Sequence, residues 1–92
     1  MPQSKSTIHR IYTEGKNKAS IIRRVTEIFE SFTIQTTLGY YKGRSEKSFV
    51  IEIVGAEPRV IRKLATTIRA MNGQQSVLVI TLRGSATITR AK

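Results

Sequence analysis

The residues best placed to do chemistry cluster in one short stretch. Gly39-Tyr40-Tyr41-Lys42 leads through a brief polar turn to Ser45-Glu46-Lys47-Ser48. Tyr41 and Glu46 therefore stand five positions apart on opposite arms of a hairpin, close enough to act on one ligand. A tyrosine hydroxyl donates to or accepts from a polar group, and a carboxylate orients an ammonium. Spacing alone favours a plainer reading, a solvated hairpin tip where Glu46 offsets Lys47 and Arg44. Gln74 and Gln75, just before an apolar run, are similarly open to a binding or a structural role.

Other chemistries are narrowed by what the chain lacks. There is no Cys, so disulfides, thiol catalysis and cysteine zinc sites are excluded, and the single His9 cannot alone build a histidine metal cage. No metal site is expected. All six acids are Glu, so a Ser-His-Asp triad cannot be assembled from one chain. His9 has no partner in sequence and reads as structural or exposed. Gly15-Lys16-Asn17-Lys18 resembles an anion-binding turn but lacks Walker spacing, which favours a solvated basic loop.

Sixteen Lys and Arg against six Glu give a net charge of +10, which puts nucleic acid among the candidate partners. Tyr12 and Phe49 fall on the strands whose aromatics stack bases in RNA-recognition domains, and Arg59, Arg62 and Arg69 form a helical stripe. Phe49 shares its alternation with Ile51 and Ile53, however, which favours the core.

The elements that must position these residues follow from periodicity. Thr7 to Thr13 alternates as a strand, Ile8, Arg10 and Tyr12 against His9 and Ile11. Asn17 suits the N-cap of a helix carrying Ile21, Val25, Ile28, Phe29 and Phe32, with Arg23 and Glu27 paired on its outer face. Thr33 to Tyr41 and Ser48 to Val54 make the hairpin strands around a turn at Lys42 to Ser45. Pro58 to Met71 is a second helix, with proline in its first turn and Asn72-Gly73 as its stop. Val77 to Leu82 reads as a fourth strand, and Gly84 can turn into a weaker fifth at Ala86 to Arg90. The order β-α-β-β-α-β is that of an α+β ferredoxin-like domain over residues 7–90, behind a basic tail at 1–6. Its sheet leaves one face open for a ligand, a nucleic acid or another subunit. No apolar stretch approaches the roughly 20 residues of a membrane span, and Met1 to Lys5 opens no signal peptide, so a soluble chain without membrane contact is expected.

Taken together, Gly39-Tyr40-Tyr41-Lys42, Glu46-Lys47-Ser48, the helix from Pro58 to Met71 and Gln74-Gln75-Ser76-Val77-Leu78-Val79 resemble the phage-encoded S-adenosylmethionine lyases, formerly called hydrolases. The motif series covers the C-terminal half, and the N-terminal half matches in pattern. The resemblance implies a homotrimer with active sites between subunits, working in the cytoplasm of the phage-infected bacterial host. It implies S-adenosylmethionine as substrate and no cofactor: the substrate's carboxylate attacks its own γ-carbon and expels methylthioadenosine, leaving homoserine lactone, a counter-restriction activity. Carried over, Glu46 would bind the substrate ammonium, Tyr41 would lie beside the sulfonium, and Gln74 would hold a polar group, with Tyr40 and Gln75 as the fallback assignments. Among the six carboxylates Glu52 ranks second to Glu46. Two readings stand beside this one: a basic nucleic-acid-binding module related to RNA-recognition domains, and a non-catalytic nucleoside-binding trimer.

Overall fold

A computed structural model describes residues 4–86. The chain runs β1 (Ser4–Glu14), α1 (Lys18–Ile28), β2 (Thr33–Tyr41), β3 (Arg44–Val54), α2 (Pro58–Asn72) and β4 (Leu78–Ala86). The strands form one sheet in the order β2-β3-β1-β4, with every neighbouring pair antiparallel. Each helix therefore links two strands separated by a third, α1 crossing over β3 and α2 crossing over β1. This is the expected ferredoxin-like arrangement.

Alternation decides which residues make the core. On the helix side, Ile11 of β1 and Phe49, Ile51 and Ile53 of β3 are buried against Ile21 and Val25 of α1 and Ile61, Leu64 and Ile68 of α2. Phe49 is thus a core residue, while Tyr12 points to the other face, so the two cannot form one base-stacking platform. His9 belongs to the same buried row as Ile11. Its Nε2 donates to the Ala56 carbonyl at 2.9 Å, which leaves Nδ1 to accept from the Thr81 hydroxyl at 2.9 Å. The open face carries Ile8, Arg10 and Tyr12 of β1, Val50, Glu52 and Val54 of β3, and Leu78, Ile80 and Leu82 of β4.

Several details depart from the sequence expectations. β1 begins at Ser4, inside the expected tail. β4 continues through Gly84 to Ala86 without a turn, pairing Ser4 with Ala86, and the rest of the expected fifth strand lies outside the described residues. The hairpin turn is only Lys42-Gly43, both at positive φ (51° and 77°), the geometry that matches the twist of the flanking strands. Asn17 does occupy the N-cap of α1, but in the left-handed region and without a side-chain cap bond. On α1 the observed ion pair is Arg24 with Glu27 at 3.4 Å, rather than Arg23 with Glu27. α1 ends at Ile28, so Phe29 and Phe32 pack on the core from the following loop.

Ile51, fully buried at the centre of the sheet, tests this account of the core. Ile51→Ala is expected to lower the unfolding free energy in urea by about 2–5 kcal/mol. Thr26→Ala, on the outer face of α1, should move it by less than about 0.5 kcal/mol.

Candidate functional site

β1 stops at Glu14, opposite Ser48, whereas the β2–β3 hairpin continues past it to its turn. The hairpin tip is therefore a two-stranded arm projecting beyond the end of β1. An open cleft of about 190 Å³ lies in that step, lined by Tyr12, Thr13, Glu14, Gly39, Tyr40, Tyr41, Glu46, Lys47, Ser48 and Gln74. Tyr40, Tyr41, Glu46 and Gln74 thus come together from three elements. Gln75 is exposed and does not line the cleft.

Register determines how the arm presents its side chains. Tyr41 pairs with Arg44 and Gly39 with Glu46, so Tyr41 and Glu46 share a face as diagonal neighbours, about 7–8 Å apart at their Cα atoms. Tyr40 pairs with Ser45 on the other face. Gly39 has no side chain to cover the Glu46 carboxylate, and the nearest atoms to a Cβ there would be at 3.8 Å. Lys42 Nζ sits 5.4 Å from the centre of the Tyr41 ring, a cation already resting on that ring.

The cleft floor is set by a polar network. Gln74 Oε1 accepts from the Thr13 hydroxyl at 2.8 Å and Asn72 Nδ2 at 2.9 Å, and more distantly from the Glu14 amide at 3.4 Å. Gln74 Nε2 donates to the Ser76 carbonyl at 2.6 Å. Asn72 Nδ2 also donates to Thr13 Oγ1 at 2.8 Å, and Asn72 Oδ1 accepts from Asn17 Nδ2 at 2.9 Å. The Gln74 side-chain oxygen is therefore already engaged within the protein. For a ligand it leaves the second hydrogen of Nε2 and its backbone.

Close packing fixes the other wall. Gly15 donates its N–H to the Lys47 carbonyl at 2.9 Å, and a Cβ on Gly15 would meet the Lys47 backbone at 2.8 Å. Lys16 bonds Glu14 at 3.0 Å and Lys18 lies over the Phe49 ring, so this basic turn is occupied by its own contacts. Glu52, the second-ranked carboxylate, lies away from the cleft on the open sheet face. It accepts from Arg10 Nε at 2.8 Å, and that bond holds the Arg10 guanidinium above its already high ordinary pKa.

Sequence reasoning weighs Tyr12 only as a base-stacking ring and gives Glu14 no ligand-facing role. Glu14 adds a second carboxylate, diagonal to Glu46 across Ser48, and Tyr12 adds a third ring to the lining. The signal was the parity of β1, which puts both on the open face at a strand end. The lining thus holds two carboxylates, of which Glu14 is already paired with Lys16, one lysine and three tyrosine rings. No group of three or more metal-ligating side chains occurs among the described residues.

No sequence family and no curated protein matches the chain. Solved structures do resemble it. A DUF3240 family protein from Shewanella baltica OS155 superposes with a TM-score of 0.71 at 12% identity, covering 96% of this chain and 99% of that one. CPII, a nitrogen regulatory PII-like protein from Thiomonas intermedia K12 bound to ADP, AMP and bicarbonate, gives 0.68 at 13% identity, covering 97% and 100%. A phage SAM lyase in complex with S-methyl-5′-thioadenosine gives 0.55 at 19% identity, covering 90% of each chain. These likenesses establish a shared fold.

The network and the close glycine contact make separable predictions. Asn72→Ala strips donors from Thr13 and Gln74 and should cost about 1–3 kcal/mol in urea unfolding. Gly15→Ala should also cost about 1–3 kcal/mol, by forcing the Lys47 backbone aside. Gln75→Ala, exposed and outside the network, should change stability by less than about 0.5 kcal/mol.

Proposed function

We propose that the chain is an S-adenosylmethionine lyase, cleaving its substrate to methylthioadenosine and homoserine lactone as a phage counter-restriction activity in the cytoplasm of the infected bacterium. The observation that carries this reading is the register of the arm, which gathers Tyr41 and Glu46 on one face of a cleft that also holds Glu14. S-Adenosylmethionine presents a sulfonium and an ammonium, and a cleft lined by two carboxylates and three tyrosines suits both. The likeness to a phage SAM lyase adds support at the level of the fold.

The reaction needs little from the protein beyond position. One carboxylate oxygen of the substrate forms a bond to its own γ-carbon while the carbon–sulfur bond breaks. The bonding pair goes to sulfur, so the sulfonium leaves as a neutral thioether and the lactone ring closes. No external water enters and no cofactor is needed. Glu46 accepts from the substrate ammonium, holding the methionine part folded so that the reacting atoms are near attack distance. The Tyr41 ring faces the sulfonium, displacing Lys42 from it. Gln74 anchors the floor and offers its remaining Nε2 hydrogen to the ligand.

A homotrimer with active sites between subunits completes the reading. Ile8, Tyr12, Leu78, Ile80 and Leu82 leave an apolar strip on the open sheet face, with Leu78 57% and Leu82 41% exposed. A second copy laid there would bury the strip and close one side of the cleft, since Tyr12 belongs to both.

A second reading, a non-catalytic nucleoside-binding trimer, is favoured by the higher TM-score of the PII-like protein bound to ADP and AMP. The Glu46 carboxylate, without an ion pair among the described residues, opposes a polyphosphate in this cleft. Time-resolved mass spectrometry separates the two: the lyase reading expects methylthioadenosine and homoserine lactone to accumulate from S-adenosylmethionine, and binding without product would discard it. Loss of the charged hydrogen bond in Glu46→Gln should lower kcat/KM about 10–100-fold, whereas Glu57→Gln, at the entrance to α2, should leave it unchanged. Sedimentation should give a trimer of the 10.3 kDa chain.

A further inference from the structure

The two helices carry most of the chain's excess charge. α1 and α2 contain Lys18, Arg23, Arg24, Arg59, Arg62, Lys63 and Arg69 against one carboxylate, Glu27. All seven cations are exposed, and the only ion pair on either helix among the described residues is Arg24 with Glu27. Neither helix has an acid in its first turn, where Lys18 and Arg59 stand instead and add to the positive helix end. On α2, Arg59 meets Arg62 and Lys63 at i,i+3 and i,i+4, like-charge spacings that destabilise an isolated helix. A solvated helix face ordinarily alternates sign. This one does not, and an anionic partner would offset the repulsion.

From this surface we infer a second binding site, for the phosphate backbone of a nucleic-acid duplex, on the outer face of the helical layer. Arg59 and Arg69 are about 15 Å apart along the helix axis, with Arg62 and Lys63 between them, a row that can follow several phosphates. A groove of about 280 Å³ between the helices, lined by Arg24, Ile28, Val60, Lys63, Leu64 and Thr67, brings a cation from each helix to its rim. Five of the seven cations are Arg, whose planar fork suits phosphate oxygens. Between Lys63 and Arg69 on α2 stand Thr66 and Thr67, too small and polar to insert into a lipid surface, which an interfacial helix requires. The helices carry no aromatic residue, so there is no platform for stacking unpaired bases. Backbone contact with a duplex, without base readout, is what remains. The site is independent of the lyase reading, because the cleft opens at the end of the sheet and uses none of these residues.

Binding to a labelled duplex of about 20 base pairs should weaken linearly on logarithmic axes as salt rises from about 50 mM, with a slope near 0.9 per phosphate neutralised. The variant Arg59→Gln/Arg62→Gln/Arg69→Gln should reduce that slope by about 3, and each single substitution by about 1. Cleavage of S-adenosylmethionine, where present, should be unchanged in all of them. An unaltered slope in the triple variant, no binding at about 50 mM salt, or retention on phosphatidylserine vesicles in place of the duplex would each overturn the proposal.

Discussion

The end of β1 is held by one small polar network, and the functional geometry depends on it. Thr13, Asn17, Asn72 and Gln74 come from β1, the N-cap of α1, the end of α2 and the approach to β4, and they bond directly to one another. A polar network in a partly buried place is worth most when every member is satisfied, and no buried side-chain nitrogen or oxygen among the described residues lacks a partner. The network ends β1 abruptly, and that ending creates the step beneath the hairpin arm. A strand three residues longer would run alongside Glu46 and fill the cleft.

The same device explains why Asn17 is a cap of an unusual kind. An asparagine N-cap ordinarily turns its side chain back onto the helix amides. Here the left-handed backbone frees the amide group to reach the Met71 carbonyl at 3.2 Å and Asn72 at 2.9 Å, so the start of one helix is tied to the end of the other. The cost of leaving α1 without a side-chain cap is offset by fixing two helices at once. Gly15 works alongside it, because only a residue without Cβ can approach the Lys47 backbone so closely.

Much of this architecture is legible in the residues. The alternation of His9 and Ile11 against Arg10 and Tyr12, and of Phe49, Ile51 and Ile53 against Val50 and Glu52, matches the observed faces, because one buried face forces a period of two. Pro58 and Gly73 bound α2 through backbone geometry that few other residues share. Local pattern fails where long-range contact decides. Nothing near Asn17 or Asn72 in sequence says that they meet, since they lie 55 positions apart. Gly84 looks like a turn residue, yet pairing with β1 carries β4 straight through it. Glu14 stands beside Glu46 only through β1–β3 register, which spacing within either strand does not reveal.

Register also changes the meaning of the net charge. A cationic substrate approaching a chain of +10 would meet repulsion if that charge were spread evenly. It is not, for the helical layer holds seven cations while the cleft lining holds two carboxylates and a single lysine. The Debye length at physiological salt is about 8 Å, so exposed charges farther apart than that are largely screened from one another. At the arm Glu46 is the carboxylate without an ion pair among the described residues, since Lys16 holds Glu14. The cationic face lies on the outside of the helices and the cleft at the end of the sheet, so a cation and a polyanion would contact different residues.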